Sequence, residues 1–258
     1  MTEQEEKARE ALSKGNQLMR AGRYEEALKA YDEAIRIRPD TTSAWSNKGV
    51  ALDYLRRPKE ALEVLDEAIR IKPDNLGAWL NKGSILGRLG CYEEALEADE
   101  KAIRIKPDHP EAWYNKGNDL RKLGRHKEAI KTYDEAIRLK PDHISALLNK
   151  GNALADLGHY AEAVKTYDEA IRLKPDHANT WVNKGRALCN WGRPEEALEA
   201  SEKAIRLKPD DARAWYCKGM ALQRIGAGTD AEVAMERSLK LNPKFKEAKD
   251  ALSQLRAK

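Results

Sequence analysis

Apolar positions recur at helical spacing in short blocks along this chain, and the blocks themselves recur. After Thr41, Thr42 and Ser43, which suit a helix start, Trp45, Gly49 and Leu52 fall at i, i+4 and i+7. That is one face of a helix. A second block follows, with Ala61 and Ala68 on its apolar side. The spacing predicts helices near 42–55 and 59–72. In most copies a glycine ends the first helix: Gly22, Gly90, Gly124, Gly158, Gly192 and Gly226. Glycine there can take the left-handed conformation that stops a helix. The pair then returns every 34 residues, as the prolines at Pro39, Pro73, Pro107, Pro141, Pro175, Pro209 and Pro243 mark. A strict period of this length is the signature of a stacked repeat array.

The polar positions agree. Second helices open on acids such as Glu25-Glu26 and Glu93-Glu94, or on Pro58 and Pro194, and close on Arg-Ile or Arg-Leu followed by a base. Acids at the start and bases at the end suit the helix dipole, and proline is tolerated in a first turn. Asp32–Arg36, Asp66–Arg70, Glu100–Arg104, Asp134–Arg138, Asp168–Arg172, Glu202–Arg206 and Glu236–Lys240 are spaced i, i+4. Such pairs are expected on an exposed face, each contributing about 0.2–0.5 kcal/mol. Alanines from Ala27 to Ala231, and from Ala34 to Ala204, keep the period on the opposite side, where small residues let helices approach. After the seventh pair, residues 246–258 predict a capping helix with Ala248, Leu252 and Leu255 inward.

Composition narrows function by exclusion. The 47 basic and 43 acidic residues of this 258-residue chain are interleaved, which reads as a solvated surface and not as a nucleic-acid footprint. No run of 18 apolar residues occurs, so no helix is expected to insert in a membrane, and the N-terminal residues carry no apolar leader pattern. Cys91, Cys189 and Cys217 are odd in number and occupy different places in the repeat. They are expected to be reduced thiols, with a cytoplasmic location. His109, His143 and His177 recur at 34 residues, too far apart in a stack to share an ion at the ~2 Å a ligand needs, so they are expected in turns. No phosphate loop, HExxH or GxSxG sequence occurs. No catalytic residue, cofactor or metal is expected.

Ala44-Trp45-Ser46-Asn47-Lys48-Gly49, Leu52, Tyr92, Ala95, Ala102 and Pro107 resemble the Trp, Gly, aromatic, Ala, Ala, Pro pattern of tetratricopeptide repeats (TPR). The resemblance covers about 8–41, 42–75, 76–109, 110–143, 144–177, 178–211 and 212–245, with the cap following. It implies an all-α TPR solenoid: one right-handed superhelix of antiparallel helix pairs over 1–258, first helices lining a concave face. It also implies a non-catalytic scaffold for a protein or extended peptide, with self-association through ends or groove as the alternative. The family's carboxylate clamp for free C-termini needs cations where this chain has Leu148 and Cys217, so no preference for a free C-terminal carboxylate is expected. Lys48, Lys82, Lys116, Lys150, Lys184 and Lys218 depart from the family's more usual leucine, and Arg56 replaces a helix-ending glycine.

With Trp45 placed on the buried side, Ser43, Asn47, Val50 and Tyr54 point nearly opposite, at about 100° per residue. In that stripe Asn47, Asn81, Asn115, Asn149 and Asn183 recur at 34 residues. Propensity does not favour asparagine in helices. Two readings stay open: the carboxamides bond a neighbouring helix, or they pair with the N–H and C=O of a bound peptide. On the second reading Asn118 and Asn152 lie beside the ladder. Leu80, Tyr114, Leu148 and Tyr216 would select side chains, and Arg88, Arg121, Lys122, Arg186 and Arg224 would favour an acidic segment.

Overall fold

A computed structural model describes residues 2–257, and all regular structure among them is helical. The chain forms two compact units, Met1–Arg125 and His126–Lys258. The first holds α1 (Glu3–Arg20), α2 (Tyr24–Ile37), α3 (Thr42–Tyr54), α4 (Pro58–Ile71), α5 (Leu76–Leu89), α6 (Tyr92–Ile105) and α7 (Pro110–Lys122). The second holds α8 (His126–Leu139), α9 (Ile144–Asp156), α10 (Tyr160–Leu173), α11 (Ala178–Trp191), α12 (Pro194–Leu207), α13 (Ala212–Ile225), α14 (Gly228–Leu241) and the cap α15 (Lys246–Arg256). The expected 42–55 runs one residue past α3, and the expected 59–72 is shifted by one residue at both ends relative to α4.

Within each unit, consecutive helices pack as antiparallel neighbours, and first helices also touch the next first helix: α1–α3, α3–α5 and α5–α7, then α9–α11 and α11–α13. The first helices therefore form a continuous layer in each unit. The two alanine columns, Ala27 to Ala231 and Ala34 to Ala204, are completely buried. So is a third, Ala44, Ala78, Ala112, Ala146, Ala214 and Ala248, in which Thr180 takes one place. The Thr180 hydroxyl lies 2.7 Å from His177 Nδ1. Where Ser238 ends the second column, it donates to the Ala212 carbonyl at 2.7 Å. Polar groups enter these columns with a hydrogen bond in hand, which removes most of the cost of burying them.

Three local devices explain the repeat's invariant residues. A methyl group added to Gly15 would stand 2.5 Å from the Tyr31 ring, on Gly49 2.7 Å from Leu65, and on Gly219 2.7 Å from Met235. Only glycine lets the second helix seat its large side chain there. At five of the six tryptophans the indole N–H donates to the carbonyl of the preceding periodic proline: Trp45 to Pro39, Trp79 to Pro73, Trp181 to Pro175 and Trp215 to Pro209 at 2.9 Å, and Trp113 to Pro107 at 2.8 Å. The indole thereby fastens the turn between repeats to the helix after it. The lysines before the glycines are anchored too. Lys48 reaches Asp32 at 2.6 Å, Lys82 reaches Asp66 at 2.5 Å, Lys116 reaches Glu100 at 2.9 Å and Lys184 reaches Asp168 at 2.6 Å.

That pairing corrects the expected i, i+4 ladder. Asp32, Asp66 and their equivalents turn to the lysine of the following helix, and three of the arginines turn back three residues, Arg36 to Glu33, Arg70 to Glu67 and Arg138 to Glu135, while Arg104 donates to the Glu100 carbonyl. A cross-helix partner with a half-covered stem costs less side-chain entropy to hold than an exposed one. Glu236 instead receives Arg256 from the cap.

Helix ends follow the glycine rule, with φ between +72° and +92° at Gly22, Gly90, Gly124, Gly158, Gly192 and Gly226. Arg56 takes the same conformation, at φ 61°. A side chain there costs about 1–2 kcal/mol, so Arg56→Gly is expected to stabilise the chain by about 1 kcal/mol, read from chemical unfolding.

One polar intrusion is not matched. Asp99 stands where Tyr31, Leu65 and Tyr167 stand in other repeats; it is fully buried and neither carboxyl oxygen has a hydrogen-bond partner. It presses on Gly83, and Asp119 of α7 presses on Gly87 of the same helix α5. Burial first, then the charge of Asp119, raises the Asp99 pKa to about 9; burial raises Asp119 as well. The folded chain thus holds a proton that the unfolded chain releases. Stability from this group is full below the ordinary carboxylate range and is lost as pH rises towards 9, by at most about 1.4 kcal/mol per pH unit. Unfolding midpoints between pH 5 and 8.5 are expected to fall for the wild type and to flatten in Asp99→Asn, which keeps the shape without the proton.

Candidate functional site

The candidate surface is the layer of first-helix faces turned away from the second helices. On α3 and α5 the stripe brings Val50, Asp53, Tyr54, Asn81, Ser84 and Arg88 around a cavity of about 400 Å3. Tyr54 is 59% exposed and stacks on Tyr24 with ring centroids 4.7 Å apart. On α11, α13 and the start of α15 a second cavity, of about 410 Å3, is lined by Asn183, Arg186, Tyr216, Met220 and Phe245 among others.

The asparagine column is not uniform. Asn47 donates its amide to Asn16 Oδ1 at 2.8 Å, and that oxygen also accepts the Tyr31 hydroxyl at 2.9 Å. Asn183 does the same to Asn152 Oδ1 at 2.9 Å, which accepts Tyr167 at 2.8 Å. In turn, Asn152 donates to Asn149 at 3.4 Å. A buried tyrosine hydroxyl needs an acceptor, and these carboxamides supply it. At Asn183 the neighbouring-helix reading therefore describes one of the two amide hydrogens, and the other hydrogen and the carbonyl oxygen are uncommitted; the Asn47 amide also interacts with the Tyr31 hydroxyl.

Asn81 and Asn115 differ. Their second helices carry Leu65 and Asp99 where the others carry tyrosine, and Val50 and Ser84 replace the intermediate asparagine. Neither side chain makes a hydrogen bond among the described residues, and both are half-buried. This division was visible in the sequence as a 15-residue spacing that a reading of the inner stripe alone passes over. Asn16, Asn118 and Asn152 occur where Tyr31, Tyr133 and Tyr167 follow, and in no other repeat.

The flanking residues divide as well. Leu80 is half-buried, as are Tyr114 and Arg121. Leu148 packs against the Leu154–Tyr167–Leu188 cluster, and Tyr216 lies 5.1 Å from Phe245, ring to ring. Arg88 is ion-paired with Asp53, which sets its charge against an acid of the same surface. Lys122, Arg186 and Arg224 are exposed and make no ion pair among the described residues. The histidines sit at helix starts: His109, His143 and His177 are the N-cap residues of α7, α9 and α11. Cys189 and Cys217 are buried, and burial pushes both thiols upward, away from the reactive thiolate. No helix among the described residues is long and apolar enough to cross a membrane.

Comparison with known proteins agrees with this geometry. A family model described as tetratricopeptide repeat matches residues 12–75, 114–178, 148–212 and 182–244, and a second with the same description matches 75–142. Among curated proteins none matches. A tetratricopeptide repeat protein from Parabacteroides merdae superposes with a TM-score of 0.73 at 18% identity, over 97% of this chain and 99% of its own. PilF of Pseudomonas aeruginosa gives 0.73 at 20% identity, over 88% and 99%. YrrB, described as a TPR protein with an unusual peptide-binding site, gives 0.62 at 26% identity, over 74% and 98%. The glycine-seated helix pairs, the Trp–Pro lock and the family match over most of the length lead to one conclusion: the chain belongs to the tetratricopeptide repeat family.

Proposed function

We propose that this chain is a non-catalytic scaffold that holds an extended protein segment along its first-helix faces, with asparagines bonding the segment's backbone. The observation that carries the reading is the state of Asn81 and Asn115. Two carboxamides in equivalent positions of adjacent repeats face the same stripe with donors and acceptors unspent. A polar group at a half-buried surface gains when a partner replaces the water it holds. Neighbouring helices lie roughly 8–10 Å apart and extended chain advances about 3.3 Å per residue, so one asparagine meets the backbone about every third residue. In the second unit Asn183 retains a free carbonyl oxygen and one amide hydrogen for the same use.

The fold supports protein binding in general, and the peptide-binding site ascribed to YrrB, a relative in fold, supports the peptide form of it. The exposed, unpaired Lys122, Arg186 and Arg224 support an acidic preference, to which Arg88 adds little because Asp53 neutralises it.

The two kinds of asparagine separate binding from folding. Asn81→Ala with Asn115→Ala is expected to leave the melting temperature within error of wild type while weakening extended peptides, each lost bond being worth about 0.5–1.5 kcal/mol. Asn183→Ala is expected to lower stability by about 1 kcal/mol, because Asn152 loses a donor within its network with Tyr167. Calorimetric titration beside thermal melts reads both. A double variant that melts early and binds as before would return these asparagines to a structural role.

A further inference from the structure

The repeat breaks in concert at one place. Position 217 holds cysteine where five earlier repeats hold the column asparagine, and Met220 stands where Asn118 and Asn152 stand. Position 245 holds the chain's single phenylalanine where Thr41, Asn75, His109, His143, His177 and Asp211 begin a first helix. All three departures replace a polar residue by an apolar one, and all three line the 410 Å3 cavity between α11, α13 and the start of α15. Phe245 makes no side-chain capping bond, and its ring cannot supply the one that Asn75, His143 and Asp211 make at the equivalent place. Its ring instead tilts at 57° against Tyr216 across the cavity wall.

Charge at the cavity is unevenly committed. Arg213 is held by Asp211 and by Asn179, both at 2.7 Å. Arg186 also lines the cavity, is exposed, and has no acid partner among the described residues; Arg224, on α13, has none either. Glu247 lies on the α15 side of the cavity and is not paired with either. An apolar floor beside an uncommitted guanidinium recognises an apolar side chain next to a carboxylate, because an arginine fork binds a carboxylate more strongly than it binds water.

We infer that this cavity is a specificity pocket for a partner segment carrying a bulky apolar residue with an acidic neighbour, the apolar side chain resting on Tyr216, Met220 and Phe245 and the carboxylate on Arg186. The inference rests on the extended-segment reading above and adds to it the side chains the second unit selects. A cavity of this size lies within the roughly 300–1,000 Å3 of ordinary ligand pockets. Asparagines give affinity to any backbone; this pocket gives a preference.

The test uses the full chain and fluorescein-labelled, C-terminally amidated peptides Gly-Ser-Asp-Phe-Asp-Ser-Gly, with the central triplet also made as Asn-Phe-Asn and Asp-Ala-Asp. Fluorescence anisotropy is expected to rank Asp-Phe-Asp ahead of both others. Arg186→Gln is expected to weaken Asp-Phe-Asp about tenfold, the scale of one charge-assisted bond, and to leave Asn-Phe-Asn unchanged. Phe245→Asp restores the residue type of the other helix starts; it is expected to keep or raise thermal stability and still weaken both Phe peptides. If the peptides bind and neither variant matters, while Asn81→Ala with Asn115→Ala weakens them, the pocket inference fails and the extended-segment reading stands. If no peptide binds the wild type, both fail. If sedimentation shows a dimer that Arg186→Gln dissociates, the occupant is a second copy of this chain and the inference is overturned.

Discussion

Everything in this molecule depends on how closely a first helix can approach the second helix of its own repeat. At Gly15, Gly49 and Gly219 the middle of the first helix leaves no room even for a methyl group, because the Tyr31 ring, Leu65 and Met235 occupy that space; at Gly185, opposite the small Ser201, the contact is looser. The buried alanine columns extend the same close approach along both helices. Dispersion contacts are individually small and fall off steeply with distance, so a core of alanines is cohesive only when backbones are near. A chain with 6% aromatic residues thereby builds its interior largely from small side chains, and it leaves much of the outer stripe of the first helices, Asn81 and Asn115 among it, outside the core.

Two lesser devices join one repeat to the next. The indole–proline bond ties each connecting turn to the helix that follows, and the lysine before the glycine spans from that helix back to an acid of the preceding one. The lysine side chains are only 19–26% exposed, so their stems cover apolar surface while their charges are neutralised locally. The result bears on function. On the first helices the lysines before the glycines and Arg88 are paired with acids, whereas Lys122, Arg186 and Arg224 are exposed with no acid partner among the described residues.

Period and helix boundaries were legible because each repeat states them independently, so an accident at one position is corrected by six others. The charge ladder was misread because i, i+4 spacing identifies neighbours on one helix and is silent about a lysine 16 residues on in sequence that reaches the same carboxylate. The asparagine column looked uniform because its residues are identical. What distinguishes them is the identity of a side chain on another helix, tyrosine or not, and that is a three-dimensional fact with only a faint trace in sequence. Asp99 shows the same limit. It sits in a column otherwise filled by Tyr, Leu, Ser and Met, and only packing against Gly83 and beside Asp119 reveals a buried acid pair. The pocket at Phe245 joins residues whose departures from the repeat look unrelated until Phe245, at the start of α15, meets Tyr216 of α13.

The central claim is that unspent carboxamides on the first-helix faces bond a peptide backbone. Side-chain amide resonances report this directly, since each Asn NH2 group gives its own pair of nitrogen-correlated proton signals. Titrating 15N-labelled protein with an extended, C-terminally amidated acidic peptide is predicted to move the Asn81 and Asn115 side-chain signals furthest. The amide hydrogen of Asn183 that faces Asn152 should hold still while its partner hydrogen moves. Saturating peptide that leaves the Asn81 and Asn115 signals in place, with shifts confined to the second helices or to chain ends, would contradict the account.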